Sequence, residues 1–153
     1  MANGSILIAD QQTTLRLPVA RIRSLARAVM EGEGLAGSLS LAFVDDRAIR
    51  AVNRKFLRHD YATDVIAFAL EDPADDVVGE LVISTEFAAC EAAKRRIPAG
   101  EEVLRYVAHG ILHLAGYDDH AARDRAKMWR RQERYLADPR FRMPDSGRAR
   151  SGR

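Results

Sequence analysis

The chain has 153 residues and a mass of 17.0 kDa, with 47% apolar and 30% charged residues, a composition that fits one globular domain and excludes disordered or fibrous classes. A single cysteine, Cys90, excludes an intramolecular disulfide and points to a reducing compartment. No apolar run approaches the ~20 residues of a membrane span, and Met1–Asp10 has no basic segment ahead of its short apolar stretch, so a cytoplasmic protein is expected rather than a secreted or membrane one.

Ile6–Ala9 has the length and composition of a first strand. Pro18 stands where the first turn of a helix accepts proline, and Ile22, Leu25, Ala26 and Val29 follow at helical spacing until Gly32 and Gly34 end the run. Ser38–Val44 alternates as a half-buried strand does, and Asp45-Asp46 then caps a helix through Ile49, Val52 and Phe56. The polar stretch 58–64 leads into a strand over Val65–Leu70. An acidic turn at 71–76 joins it to Val77–Ser84, an antiparallel neighbour. Ser84 is placed to cap an Ala-rich helix ending near Arg96, in which Cys90 is expected as a small buried residue. Pro98 opens a helix whose apolar stripe runs through Val103, Leu104, Val107, Ala108, Ile111, Leu112 and Ala115, with Gly116 as its stop. A last helix spans Ala121 to Leu136, with Met128 and Trp129 expected in the core. From Pro139 onward the chain is Arg-, Gly-, Ser- and Pro-rich without periodicity. This predicts a single domain over 1–138 and a basic disordered tail over 139–153. Strands in the first half and helices in the second predict an α+β fold: a small mixed sheet of about four strands packed with about five helices.

The formal charge of +2 conceals an asymmetry. Residues 1–120 carry 13 Lys+Arg against 18 Asp+Glu, whereas residues 121–153 carry 11 against 4. A basic C-terminal third suits a polyanion such as RNA, and Arg123, Lys127, Arg130, Arg131 and Arg134 make a broad basic surface of the last helix.

Three of the four histidines fall in the segment His109-Gly-Ile-Leu-His113-Leu-Ala-Gly116-Tyr-Asp-Asp119-His120. His109 and His113 are one helical turn apart and almost opposite the centre of the apolar stripe, so both imidazoles can meet one ion at Zn–N distances near ~2 Å. Gly116 permits a sharp turn that brings a later polar residue over the same ion. This layout parallels the metzincin pattern H-E-x-x-H-x-x-G-x-x-H, except that Gly110 replaces the glutamate base and Asp119 stands at the third ligand position. A zinc peptidase is therefore the weaker enzymatic alternative.

The same segment, through Asp118, resembles the signature of the YbeY family, metal-dependent endoribonucleases also described as rRNA maturation factors. Asn53-Arg-Lys-Phe56, Asp60, Thr63-Asp64-Val65-Ile66, Phe68 and Gly79–Ser84 extend the resemblance over about residues 40–120. It implies a small α/β domain with one zinc at the end of a central helix, and ribosomal RNA and the ribosomal small subunit as partners. The implied roles are small-subunit rRNA 3′-end processing and ribosome quality control. Three histidines usually ligate the metal in that family. By position the first two are His109 and His113, and the third falls on Asp119, with His120 one residue later as the alternative. An arginine thought to touch RNA usually follows the aromatic of the upstream segment; that position is Leu57 here, with Arg58 beside it and His59 where a lysine is usual. Arg58, His59, Arg123, Lys127, Arg130 and Arg131 are the candidate RNA contacts, and Thr63 and Asp64 candidates for the site's mouth. A non-catalytic ribosome assembly factor with structural zinc is the other alternative.

Overall fold

The computed structural model describes residues 4–70 and 76–144; most of the acidic turn and the tail beyond residue 144 lie outside the described residues. In chain order it contains β1 (Ile6–Asp10), α1 (Val19–Gly32), β2 (Ser38–Val44), α2 (Asp46–Val52), a π-helical turn (Asn53–Leu57), β3 (Val65–Ala69) and β4 (Val77–Ser84). There follow α3 (Thr85–Arg95), α4 (Ala99–Leu114), α5 (Ala122–Leu136) and a short 3-10 turn (Pro139–Phe141). The strands form one mixed sheet in the order β1-β2-β4-β3, with β1, β2 and β4 parallel and β3 antiparallel to β4. The α+β fold expected from the sequence is therefore present.

Period-two alternation assigns each strand residue a face. Leu39, Leu41 and Phe43 of β2, with Leu81 and Ile83 of β4, enter the main core, while Val44, Ile66 and Val82 turn to a smaller cluster closed by Ile49 of α2. The main core is roofed by α1 and α4. From α4, Val103, Leu104, Val107, Ala108, Ile111 and Leu112 are all completely buried. Each such Leu or Ile contributes about 1.5–3 kcal/mol, enough to make this helix the fixed axis of the domain. The expected caps form: an Asp45 carboxylate oxygen accepts from the Ala48 amide at 2.8 Å, and Ser84 Oγ accepts from the Phe87 amide at 3.1 Å.

Four local expectations are corrected. Cys90 is exposed, because α3 turns Thr85, Ala88 and Ala92 inward and position 90 falls on the opposite side. Met128 is buried, but Trp129, one residue on, keeps 48% of its surface open, and the guanidinium groups of Arg95 and Arg105 lie 5.9 Å from its ring. The helix expected through Phe56 ends at Val52 and loosens into the π-turn, leaving Phe56 exposed. The domain also continues past residue 138. Asp138 caps the turn at Pro139–Phe141, and Phe141 enters the main core with 2% exposure. A phenylalanine in an otherwise Arg-rich segment is the apolar anchor that the low-complexity reading overlooked.

Candidate metal centre and its cleft

Helix α4 carries His109 and His113 on the face turned away from the core, both half-buried. The helix ends at Leu114 with Ala115 as its cap, and Gly116 follows at φ +100°, a conformation that costs other residues about 1–2 kcal/mol. The Tyr117 amide donates back to the Leu112 carbonyl at 3.0 Å. That reversal carries Asp119 back over the two histidines.

The three side chains converge. His109 Nε2 and His113 Nε2 are 3.1 Å apart, and Asp119 Oδ2 lies 3.6 Å from the first and 3.4 Å from the second. Donors ~2.0–2.1 Å from a tetrahedral zinc stand about 3.4 Å apart, so the three edges match that chemistry. His120 does not join them. Its side chain is 89% exposed, with Nε2 3.8 Å from an Asp118 carboxylate oxygen. His109, His113 and Asp119 form a group that could hold a metal ion; a second such trio, Asp118, Asp119 and His120, is largely exposed and shares Asp119.

Which ring nitrogens carry protons follows from their partners. Glu133 only accepts, so the Gln132 amide must point Nε2 at it (2.9 Å), which leaves Gln132 Oε1 facing His109 Nδ1 at 2.9 Å. His109 therefore donates through Nδ1. His113 Nδ1 likewise faces the Tyr117 carbonyl at 3.2 Å and donates to it. With both Nδ1 atoms engaged in this way, the two Nε2 atoms face one another and the Asp119 carboxylate, the arrangement of donor atoms that a metal ion can use.

Behind His109 lies an ionic network that the sequence reading missed. Gln132 is 1% exposed, and Glu133 receives two parallel hydrogen bonds from Arg105, at 2.8 and 2.9 Å. Arg105 also reaches Glu102, which is bound in turn by Arg95. Burial by itself raises Glu133, but the hydrogen bonds from Arg105 and Gln132 outweigh it and hold the carboxyl below its ordinary 4.5. For Arg105, burial works downward and its pairing with Glu133 and Glu102 prevails, so its value is raised. The signal in the sequence was phase: Gln132 is one turn from Met128 and Leu136, an amide on the buried side of α5. Because folding favours ionised Glu133, its contribution is complete above pH 4.5 and is lost as the pH falls through the lower folded value. Thermal melts from neutrality to about pH 3 are expected to show this acid limb, and Glu133→Gln to flatten it.

Gly110 also acquires a reason. A Cβ there would stand 2.7 Å from Leu81 Cδ1, and Leu81 is completely buried on β4. Position 110 is where α4 rests on the sheet, so a glutamate there would meet the core and not a substrate. Gly110→Glu is expected to lower the melting temperature sharply or prevent folding, through overpacking of about 1–3 kcal/mol plus a buried charge, as read by circular dichroism.

A cleft of about 520 Å³ opens beside the group. His113, Leu114 and His120 line one side, and Asn53, Leu57, His59, Tyr61 and Thr63 line the other. Of the mouth candidates, Thr63 lines the cleft, whereas Asp64 accepts from the Val65 amide at 2.7 Å and starts β3. Arg58 ends the π-turn in the left-handed region at φ 59° and is exposed. Arg123 and Arg130 are exposed on α5, and Lys127 lies 6.0 Å from the Tyr117 ring, close to the metal group's loop. Arg131 is already engaged, with its Nε 2.8 Å from Glu33 Oε2.

Comparison with known proteins places the chain in a family. The family model described as Endoribonuclease YbeY matches residues 7–139. The chain belongs to the YbeY family. Its relatives include an Endoribonuclease YbeY of Anaeromyxobacter sp. (strain Fw109-5), 37% identical over 84% of this chain and 68% of that protein. That of Chloroherpeton thalassium is 34% identical over 86% of this chain and 93% of its own length. The solution structure of TM1509 from Thermotoga maritima shares the fold, with a TM-score of 0.60 at 24% identity, covering 92% of this chain and 97% of that one. Within the YbeY family frame, none of the helices among the described residues is long and apolar enough to cross a membrane.

Proposed function

We propose that this chain is a zinc-dependent endoribonuclease of the cytoplasm. It cleaves single-stranded RNA in rRNA maturation, including small-subunit rRNA 3′-end processing, and in ribosome quality control. The observation that carries the reading is the convergence of His109 Nε2, His113 Nε2 and Asp119 Oδ2 beside an open cleft. The relatives' shared name, Endoribonuclease YbeY, supports the reaction class.

His109, His113 and Asp119 would hold one zinc per chain. When bound, such an ion acidifies water toward a pKa of ~7 and polarises a phosphoryl oxygen. The chain's own residues do the rest. Gln132 and the Tyr117 carbonyl keep both imidazoles in the metal-binding tautomer. Asp119 adds an anionic donor that lowers the net charge of the centre. Arg58, Arg123, Lys127 and Arg130 supply phosphate contacts, which position a strand without reading its sequence. Position 110 offers no carboxylate, so the substrate phosphate or solvent accepts the proton.

Two other readings fit less well. A peptidase needs a glutamate where Gly110 packs on Leu81. A structural zinc is normally closed by four protein ligands, whereas three converge here and His113 also lines the cleft. The test is incubation of the zinc-loaded protein with single-stranded rRNA fragments, beside a His109→Ala/His113→Ala double variant. Cleavage by the wild type alone supports the proposal; equal cleavage by both refutes it.

A further inference from the structure

The loop between the π-turn and β3 carries two rings that the metal group does not use. His59 and Tyr61 stack with centroids 5.3 Å apart and planes tilted by 33°. Both line the cleft that also contains His113, and Tyr61 keeps 55% of its surface open. The pair is held from below. Buried Asn53 donates from its side-chain Nδ2 to the Tyr61 carbonyl at 3.0 Å, and its backbone carbonyl accepts from the His59 amide at 3.3 Å. Asp60, between the two in sequence, is tied to Arg50 at 2.9 Å on the exposed surface. Anchors on both sides and in the middle make this an ordered aromatic surface.

Its surroundings select a ligand. Leu57, Val65, Ala67 and Leu114 give part of the cleft an apolar lining beside its polar groups, and no carboxylate lines it among the described residues. Its volume of about 520 Å³ falls in the range of small-ligand clefts. A carboxylate-free cleft of mixed polar and apolar lining, with an exposed aromatic surface beside the histidine–aspartate group, suits a flat, hydrogen-bonding ring attached to an anionic backbone. Resting on the endoribonuclease reading above, we propose that His59 and Tyr61 form a stacking platform for an unpaired RNA base adjoining the scissile phosphate. The platform excludes duplex RNA, because a base inside a duplex has both faces covered by its neighbours. It accepts any base, since each has a π-face.

The test measures equilibrium binding of the zinc-loaded full chain to two fluorescein-labelled, phosphorothioate-linked probes: a short oligoadenylate and an abasic ribose-phosphate chain of the same length. A stacked base contributes about 1–3 kcal/mol, so the abasic chain should bind roughly 5- to 150-fold more weakly. Tyr61→Ala should weaken oligoadenylate by a similar factor and leave the abasic chain unaffected, while Tyr61→Phe keeps the wild-type preference. Equal affinity of the wild type for the two probes overturns the platform, and so does a Tyr61→Ala variant that loses both equally. Cleavage of unmodified oligoadenylate by the same preparations separates the two proposals. Base-dependent, Tyr61-dependent binding without cleavage upholds the platform and refutes the nuclease. Cleavage with no base dependence of binding does the reverse.

Discussion

Asp119→Ala should lose its metal as completely as His113→Ala, whereas His120→Ala should keep it. Asp119 Oδ2 is 3.4 Å from His113 Nε2, while the His120 ring is turned to solvent at 89% exposure. Loss of an outer partner typically costs 10–100-fold in metal affinity, so loss of one of three direct donors should cost at least about 100-fold. Metal content of the three purified variants, by mass spectrometry after dialysis, reads this out. Asp119→His tests the electrostatic side. It replaces an anion with a neutral imidazole and raises the net charge of the centre by one, so cleavage should begin to rise at lower pH than in the wild type. Preference for harder ions such as manganese should fall at the same time. An Asp119→Ala protein that retains full metal while His120→Ala loses it would reverse the assignment.

Gln132→Leu should lower metal affinity about 10–100-fold in a protein that still folds. The substitution removes the Oε1 that accepts from His109 Nδ1 at 2.9 Å and leaves that N–H without its partner. His109 can then move its proton to Nε2, the atom the metal needs. The fold should pay about 1–3 kcal/mol for the unsatisfied group, well short of unfolding a domain whose axis is α4. Imidazole-nitrogen NMR separates this from general damage: metal-free wild type should show His109 protonated at Nδ1, and the variant a mixture of tautomers. Unchanged affinity together with an unchanged tautomer would contradict the role assigned to Gln132.

Much of this architecture is written in local patterns. The alternation of Leu39, Leu41 and Phe43 identifies β2 and its buried face, and Ser84 marks the start of α3 by its capping chemistry alone. The spacing of His109 and His113 specifies a shared helical face whatever the tertiary context. What sequence left open depends on contacts distant along the chain. Asp119 and His120 are adjacent, and only the conformation after Gly116 decides which of them returns to the helix. Trp129 and Cys90 are apolar residues whose exposure follows from helix phase relative to neighbouring helices, which composition does not report. Phe141 lies 35 residues from Tyr106, yet both enter the same core. The π-turn over Asn53–Leu57 has no spacing signature, yet it presents Leu57 and leads into the loop of His59 and Tyr61.

The central claim is that RNA cleavage passes through an ion held by His109, His113 and Asp119. Chelator-stripped wild-type protein titrated with zinc, with cleavage of single-stranded rRNA and bound metal measured on the same samples, tests it most directly. The account predicts no cleavage by the stripped protein and activity that rises in proportion to occupancy, saturating at one ion per chain. Full cleavage by the stripped protein, or saturation of the ion without any cleavage, would contradict it.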